Sequence, residues 1–347
     1  MINANDAIFS KLKDHFLNYL PEHSARVEGK RYISTTDSEK NWLKQLSITK
    51  HQPIHPHLHT ASFCFQQDEY FVIVGHQNSE SIDDCITYTD LNAGIFTALV
   101  ADLDISLRQG VDPYEILNEA LSLKRGDDGY FGHSYSDIEK FFDPIAVFKI
   151  LPQSPIKSNE LARLSCYYLS KNKNFLVLPF SLETLKTFEE LAVIGSSNIP
   201  FENILLSLNS FYWKFAFLDV YRCIEQIFMI HSLKDFHNKI ASGISLTDLV
   251  DNVEQFLRWR PKEEDIVAKL VNASPEDVNR IFKNIVRRVG DETTNEGIWF
   301  YKTRNSIVHY RVNDDKSQLD KIEKSDWDDL IRASLLLVQH WHQEYQS

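Results

Sequence analysis

From Phe300 to Arg311 the chain reads Phe-Tyr-Lys-Thr-Arg-Asn-Ser-Ile-Val-His-Tyr-Arg. Two residues in this stretch have the chemistry to act on a phosphodiester. An arginine such as Arg304 can hold a phosphate through two parallel hydrogen bonds, and a histidine such as His309 can move a proton near neutral pH. On RNA, His309 could serve as general base toward a ribose 2′-hydroxyl or as general acid toward the leaving 5′-oxygen, with Arg304 stabilising the charge of the phosphorane-like transition state. The products would be a 2′,3′-cyclic phosphate, or the 3′-phosphate that follows from it, and a 5′-hydroxyl. No metal and no cofactor enters this scheme, and DNA lacks the attacking hydroxyl.

Spacing alone is weak support, because 14 arginines and 13 histidines give about one or two such pairs by chance. Local charge adds to it. The chain as a whole carries 37 Lys and Arg against 49 Asp and Glu, a formal charge of -12, which would repel RNA. Between residues 280 and 311, however, Arg280, Lys283, Arg287, Arg288, Lys302, Arg304 and Arg311 face only Asp291, Glu292 and Glu296. A local basic site on an acidic chain fits an enzyme that touches a few phosphates better than a protein that coats a duplex. Lys302, Tyr310, Arg311, Arg287 and Arg288 are the candidate RNA contacts.

Several elements must position such a site. Hydrophobic residues make up 43% and charged residues 25% of the 347, the balance of a globular protein with room for two domains. The longest apolar runs, such as Leu335 to Val338, fall far short of a membrane span. The N-terminus lacks a secretory signal, and four scattered cysteines read as reduced residues of a cytoplasmic protein. Ile8, Phe9, Leu12, Phe16 and Leu20 recur at helical spacing, which predicts an amphipathic opening helix. Ala61–Phe65 and Tyr70–Val74 around Gln66-Gln67-Asp68-Glu69 predict a β-hairpin. Helix is expected at 93–108, after Asp112-Pro113, at 159–172 and from Ser181, with a turn at 124–129 and a strand at Phe175–Phe180. After Gly195–Pro200 strand-like runs disappear. Helices are expected at 201–231, 245–258, 262–272, 275–289, 296–311 and 326–345. The fold class is therefore α+β, with a mixed α/β region at 1–198, a second candidate break at 151–158, and an all-helical bundle at 199–347.

The Arg-Asn-x-x-x-His order at 304–309, a final amphipathic helix from Trp327 to Trp341, and a long upstream helix carrying Asp219, Arg222 and Glu225 on an apolar surface together resemble the HEPN superfamily. The resemblance covers about residues 201–347. It implies a helical bundle that forms a homodimer, with two copies of the motif meeting at a cleft, and it assigns Arg304, Asn305 and His309 to catalysis. It also implies a metal-independent endoribonuclease used as a toxin or anti-phage effector that cleaves RNA or tRNA, with a phage trigger or an antitoxin as further partners. Residues 1–198 would then sense a trigger, restrain the nuclease or select the RNA. One departure is Tyr310, where many relatives place glycine. A non-catalytic HEPN module for dimerisation or nucleotide binding is the alternative.

Helix geometry divides the motif. Asn305 and His309 are four apart and share a face, whereas Arg304 lies about 140° from His309 and within the apolar arc centred on Phe300. A buried charge needs a partner. Glu225 is one for Arg304, and Arg222 with Glu225 forms the candidate structural pair. Convergence of Arg304 and His309 requires a bend in the helix or a second subunit.

Other residues invite chemistry less strongly. His51, His55, His57 and His59 could place three imidazoles on one side of a strand, as for zinc or manganese. No cysteine or carboxylate falls among them, so an extended polar loop is the expectation and no metal is assigned. Asp127 and Asp128, between glycines and near His133, lack EF-hand spacing and read as a turn. Phe211, Tyr212, Trp213, Phe215 and Phe217 could stack on bases but fit core or dimer contacts better.

Overall fold

The computed structural model describes residues 2–240, 243–253, 262–291, 295–309 and 319–345. They form two compact units, Met1–Leu164 and Ser165–Ser347. Residues 165–198, grouped with the N-terminal region on sequence pattern, cluster with the second unit.

The first unit is built on an antiparallel five-stranded sheet of order β1-β2-β3-β5-β4: β1 Ser47–His55, β2 Leu58–Phe65, β3 Asp68–Val74, β4 Ile86–Thr89 and β5 Ile145–Ile150. The expected hairpin is β2 and β3, with Ala61 opposite Val72 and Phe63 opposite Tyr70. Gln66 and Gln67 make the turn at φ 58° and 110°. Alternation puts Phe63, Val72 and Val147 into one core with Leu12 and Phe16 of α1 (Ile2–Tyr19) and with Ile95, Phe96 and Leu99 of α3 (Ala93–Asp102). Between these helices in the chain comes α2 (Asp37–Gln45), opened by a capping box of Thr36 and Glu39. Asp112 caps the short α4 (Pro113–Ile116) through Tyr114 N, and α5 (Tyr135–Glu139) precedes β5. At 124–129 the chain does turn, with Asp127 accepting from Lys124 N at 2.9 Å and Gly126 and Gly129 at positive φ.

The boundary between units falls within α6 (Leu161–Lys171). The second unit contains α7 (Leu182–Ile194), α8 (Phe201–Leu208), α9 (Trp213–Glu225), α10 (Ile227–Ile240), α11 (Leu246–Asn252), α12 (Glu263–Asn272), α13 (Glu276–Arg288), α14 (Glu296–Val308) and α15 (Lys324–Glu344). The single helix expected over 201–231 is three. Asn209 closes α8, and Ser210 ties back the chain by bonding to Tyr212. Of the helix expected at 245–258, residues 254–258 lie outside the described residues. Phe175–Phe180 is not a strand: Phe175 ends a 3-10 turn that begins at Lys173, and the chain then bends through 177–178 into α7. Asn172 and Lys173 carbonyls draw the turn's amides, and Pro179 has no amide to offer a sheet.

An aromatic centre organises the second unit. Phe300 of α14 meets Phe217 and Tyr221 of α9 and Phe282 of α13 at centroid distances of 5.5, 5.2 and 5.1 Å. Trp327 of α15 joins through Phe217 at 5.9 Å. Helices α12 and α14 cross at Gly297, where a Cβ would stand 2.4 Å from Ala268 Cα. Only glycine permits that approach. Among the described residues no helix is long and apolar enough to cross a membrane.

Candidate functional site

Asn295 caps α14 by accepting from Gly297 N and Ile298 N. The helix then buries Trp299, Phe300 and Thr303 and runs to Val308. His309 is already outside it, at φ -104° and ψ 97°, exposed, with its backbone amide donating to Asn305 O at 2.8 Å. The chain therefore leaves helical geometry at His309.

Arg304 points into the bundle. Nη2 donates to Glu225 Oε1 at 2.5 Å, and Nη1 donates to Asn305 Oδ1 at 2.8 Å. Glu263 Oε2 of α12 stands 3.9 Å from Nη1, and the guanidinium lies over the Tyr221 ring at 5.6 Å. Its side chain is 18% exposed. Burial works against the charge, but Glu225, with Tyr221 and Glu263 adding to it, holds the guanidinium above its ordinary pKa. Burial also pushes the Tyr221 phenol upward, with Arg304 opposing, so the hydroxyl stays protonated. That buried hydroxyl makes no hydrogen bond among the described residues.

The site thus joins Arg304, Asn305, Glu225, Glu263 and Tyr221, with His309 one residue past the helix end. Tyr221 and Glu225, four apart on α9, share a face, so that pairing was legible in the sequence. Glu263 was not, since nothing in the acidic opening of α12 points to α14. The Arg222 and Glu225 pair does not form. Arg222 bonds to Asp219 at 2.6 Å one turn back on α9, which leaves Glu225 to Arg304.

Candidate RNA contacts scatter. Lys302 is exposed on α14. Arg287 is exposed and bonds only to Asn284 Oδ1, at 3.3 Å, among the described residues. Arg288 is committed to α15, with Nε on Asp326 at 2.6 Å and Nη2 on Asp329 at 2.7 Å. Asp326 is buried, so this cation serves packing. Tyr310 and Arg311 lie outside the described residues.

The histidine cluster is a paired β-hairpin, neither the extended polar loop expected nor a single strand. His51 and His55 lie on β1 and His59 on β2, with His57 in the turn between. His51 Nε2 and His59 Nδ1 are 3.3 Å apart, and His57 Nδ1 bonds to Asp143 at 2.8 Å. Among the described residues no three His, Cys, Asp or Glu side chains are grouped so as to hold a metal ion. Of the aromatic run, Phe217 is core, whereas Phe211, Tyr212 and Phe215 are exposed.

Compared with protein-family models, curated proteins and solved structures, the chain matches none.

Proposed function

We propose that this chain is a metal-independent endoribonuclease of the HEPN type that works as a homodimer on RNA or tRNA, in a toxin or anti-phage role governed by its first 198 residues. What carries the reading is an exposed histidine set directly after a helical turn that fixes an arginine. In Arg304, Glu225 holds Nη2 and Asn305 holds Nη1, while Nε makes no hydrogen bond among the described residues. That edge is the one offered to a phosphate oxygen. His309 takes the 2′-hydroxyl proton as the oxygen attacks phosphorus, and a proton returned to the 5′-oxygen completes the transfer. The partner copy supplies the second histidine.

A second reading rests on one observation, the 2.5 Å pair between Arg304 and Glu225. A cation so neutralised, with Glu263 close behind, suits a structural arginine in a non-catalytic HEPN module. Replacement of His309 by Ala separates the two. Under the nuclease reading it abolishes RNA cleavage and growth arrest while folding and assembly persist, and mapped ends of wild-type products carry cyclic or 3′-phosphates and 5′-hydroxyls. Cleavage retained in His309→Ala, or cleavage that requires magnesium or cuts DNA equally, overturns it.

A further inference from the structure

The first unit holds a cavity of about 680 Å³ whose lining includes Asp6, Lys30, Arg31, Lys40, Arg125 and Phe131. That is four cations against one carboxylate, in a unit whose sequence is acidic overall. The lining thus reverses the balance of its unit, in which carboxylates outnumber cations. The walls are two chain segments zipped together: Arg125 N donates to Lys30 O at 2.8 Å, His133 N to Tyr32 O at 2.9 Å and Ser34 N to His133 O at 2.9 Å. Ser34 Oγ adds a bond to Phe131 O, and Asn5 Oδ1 of α1 accepts from Ile33 N. Gly132, at φ 92°, lets the segments close, since a Cβ there would meet Ser34 Oγ at 2.4 Å.

Each cation has a distinct state. Arg31 is 5% exposed and gives its donors to backbone carbonyls of Val27, Gly29, Leu121 and Leu123. Those carbonyls satisfy its hydrogens without cancelling its charge; Asp127 acts on that charge from a distance, but among the described residues no carboxylate forms an ion pair with it. A buried charge in that condition favours an anion nearby. Lys30 and Arg125 are exposed and likewise make no ion pair among the described residues. Lys40 is held by Asp37 at 2.8 Å. Phe131 is 82% exposed at the same cavity, beside Tyr32. A ring so uncovered offers a stacking platform to a planar group.

We infer that this cavity binds a free nucleotide, its phosphates on Lys30 and Arg125 above the buried Arg31 charge and its base against Phe131 and Tyr32. The volume lies within the range of small-ligand pockets and admits one nucleotide, not a strand. The site lies wholly in the first unit and does not depend on the nuclease reading.

Calorimetric titration of the full chain with ATP, GTP, CTP and UTP, without added metal, tests it. At least one binds, and the Lys30→Ala, Arg125→Ala double variant weakens it roughly a hundredfold, since both charge-assisted contacts are lost. Phe131→Ala weakens the nucleotide about tenfold but leaves inorganic tripolyphosphate unchanged. All three side chains are exposed, so the variants keep the fold, which circular dichroism checks. No binding by any nucleotide at millimolar concentration, unchanged affinity in the double variant, or equal affinity for tripolyphosphate and nucleotide overturns the inference. So does a single-stranded RNA that binds at this site more tightly than the mononucleotide.

Discussion

Removing Glu225 should cost the second unit about 2 kcal/mol, midway between an exposed pair and a fully buried one. The figure follows from the geometry. At contact distance and an effective dielectric near 20 the direct attraction is about 4 kcal/mol, and partial desolvation of an arginine side chain 18% exposed and a glutamate 31% exposed offsets roughly half of it. Glu263, already 3.9 Å from Nη1, limits the loss in Glu225→Ala by taking over part of the pairing. Glu263→Ala alone should cost under about 1 kcal/mol, since that side chain is 47% exposed. The assay is a double-mutant cycle of Glu225→Ala and Arg304→Ala in urea, followed by circular dichroism. The coupling should be about 1–2 kcal/mol, with the double variant more stable than the sum of the singles implies. A coupling below about 0.5 kcal/mol refutes the assignment of Glu225 as the neutralising partner. RNA cleavage read on the same four proteins adds a second axis. If Arg304 touches the phosphate, the double variant stays inactive however much of its stability returns.

Acidification should weaken the first unit through His76, which is buried and whose pKa burial lowers to about 4. Its folded value lies below the unfolded value near 6.5, so stability is complete above about pH 6.5 and falls as the unfolded chain alone takes up the proton. The loss approaches roughly 3 kcal/mol near pH 4, and His76→Gln should flatten urea midpoints measured between pH 7.5 and 4.5; an equally steep profile in the variant removes His76 as the cause. Gly297→Ala should destabilise the second unit by about 1–3 kcal/mol, because the new methyl meets the Ala268 backbone rather than a side chain that can move. A thermal midpoint within about 1 °C of wild type would show that α12 and α14 separate freely.

Legibility in the sequence followed where the burial partner lay. The β2 and β3 hairpin was readable because its two apolar runs pair with each other across a short turn. The histidine-rich β1 was not, since Ile48 and Ile54 are set among polar residues, its burial is slight, and β2 is the one strand that pairs with it among the described residues. The run Phe175–Phe180 misled for the converse reason: its apolar content fills helix-packing space around Leu178 and Phe180. Within the site, the periodicity of α14 placed Arg304 toward the apolar side, and the Glu225 partner could be named from charge logic. His309 leaving the helix could not, because helix ends depend on local hydrogen bonding that period alone does not encode.

Asn305 sits at the fork of two separate tethers. Its side-chain oxygen holds the arginine, and its main-chain oxygen accepts from His309 N. The second tether belongs to the backbone and survives any residue other than one that bends the chain; the first belongs to the amide alone. Substitution at this one position therefore removes one of the arginine's two hydrogen-bonded tethers, with Glu225 still on Nη2, while leaving the histidine backbone moored, so the two halves of the motif can be loosened separately.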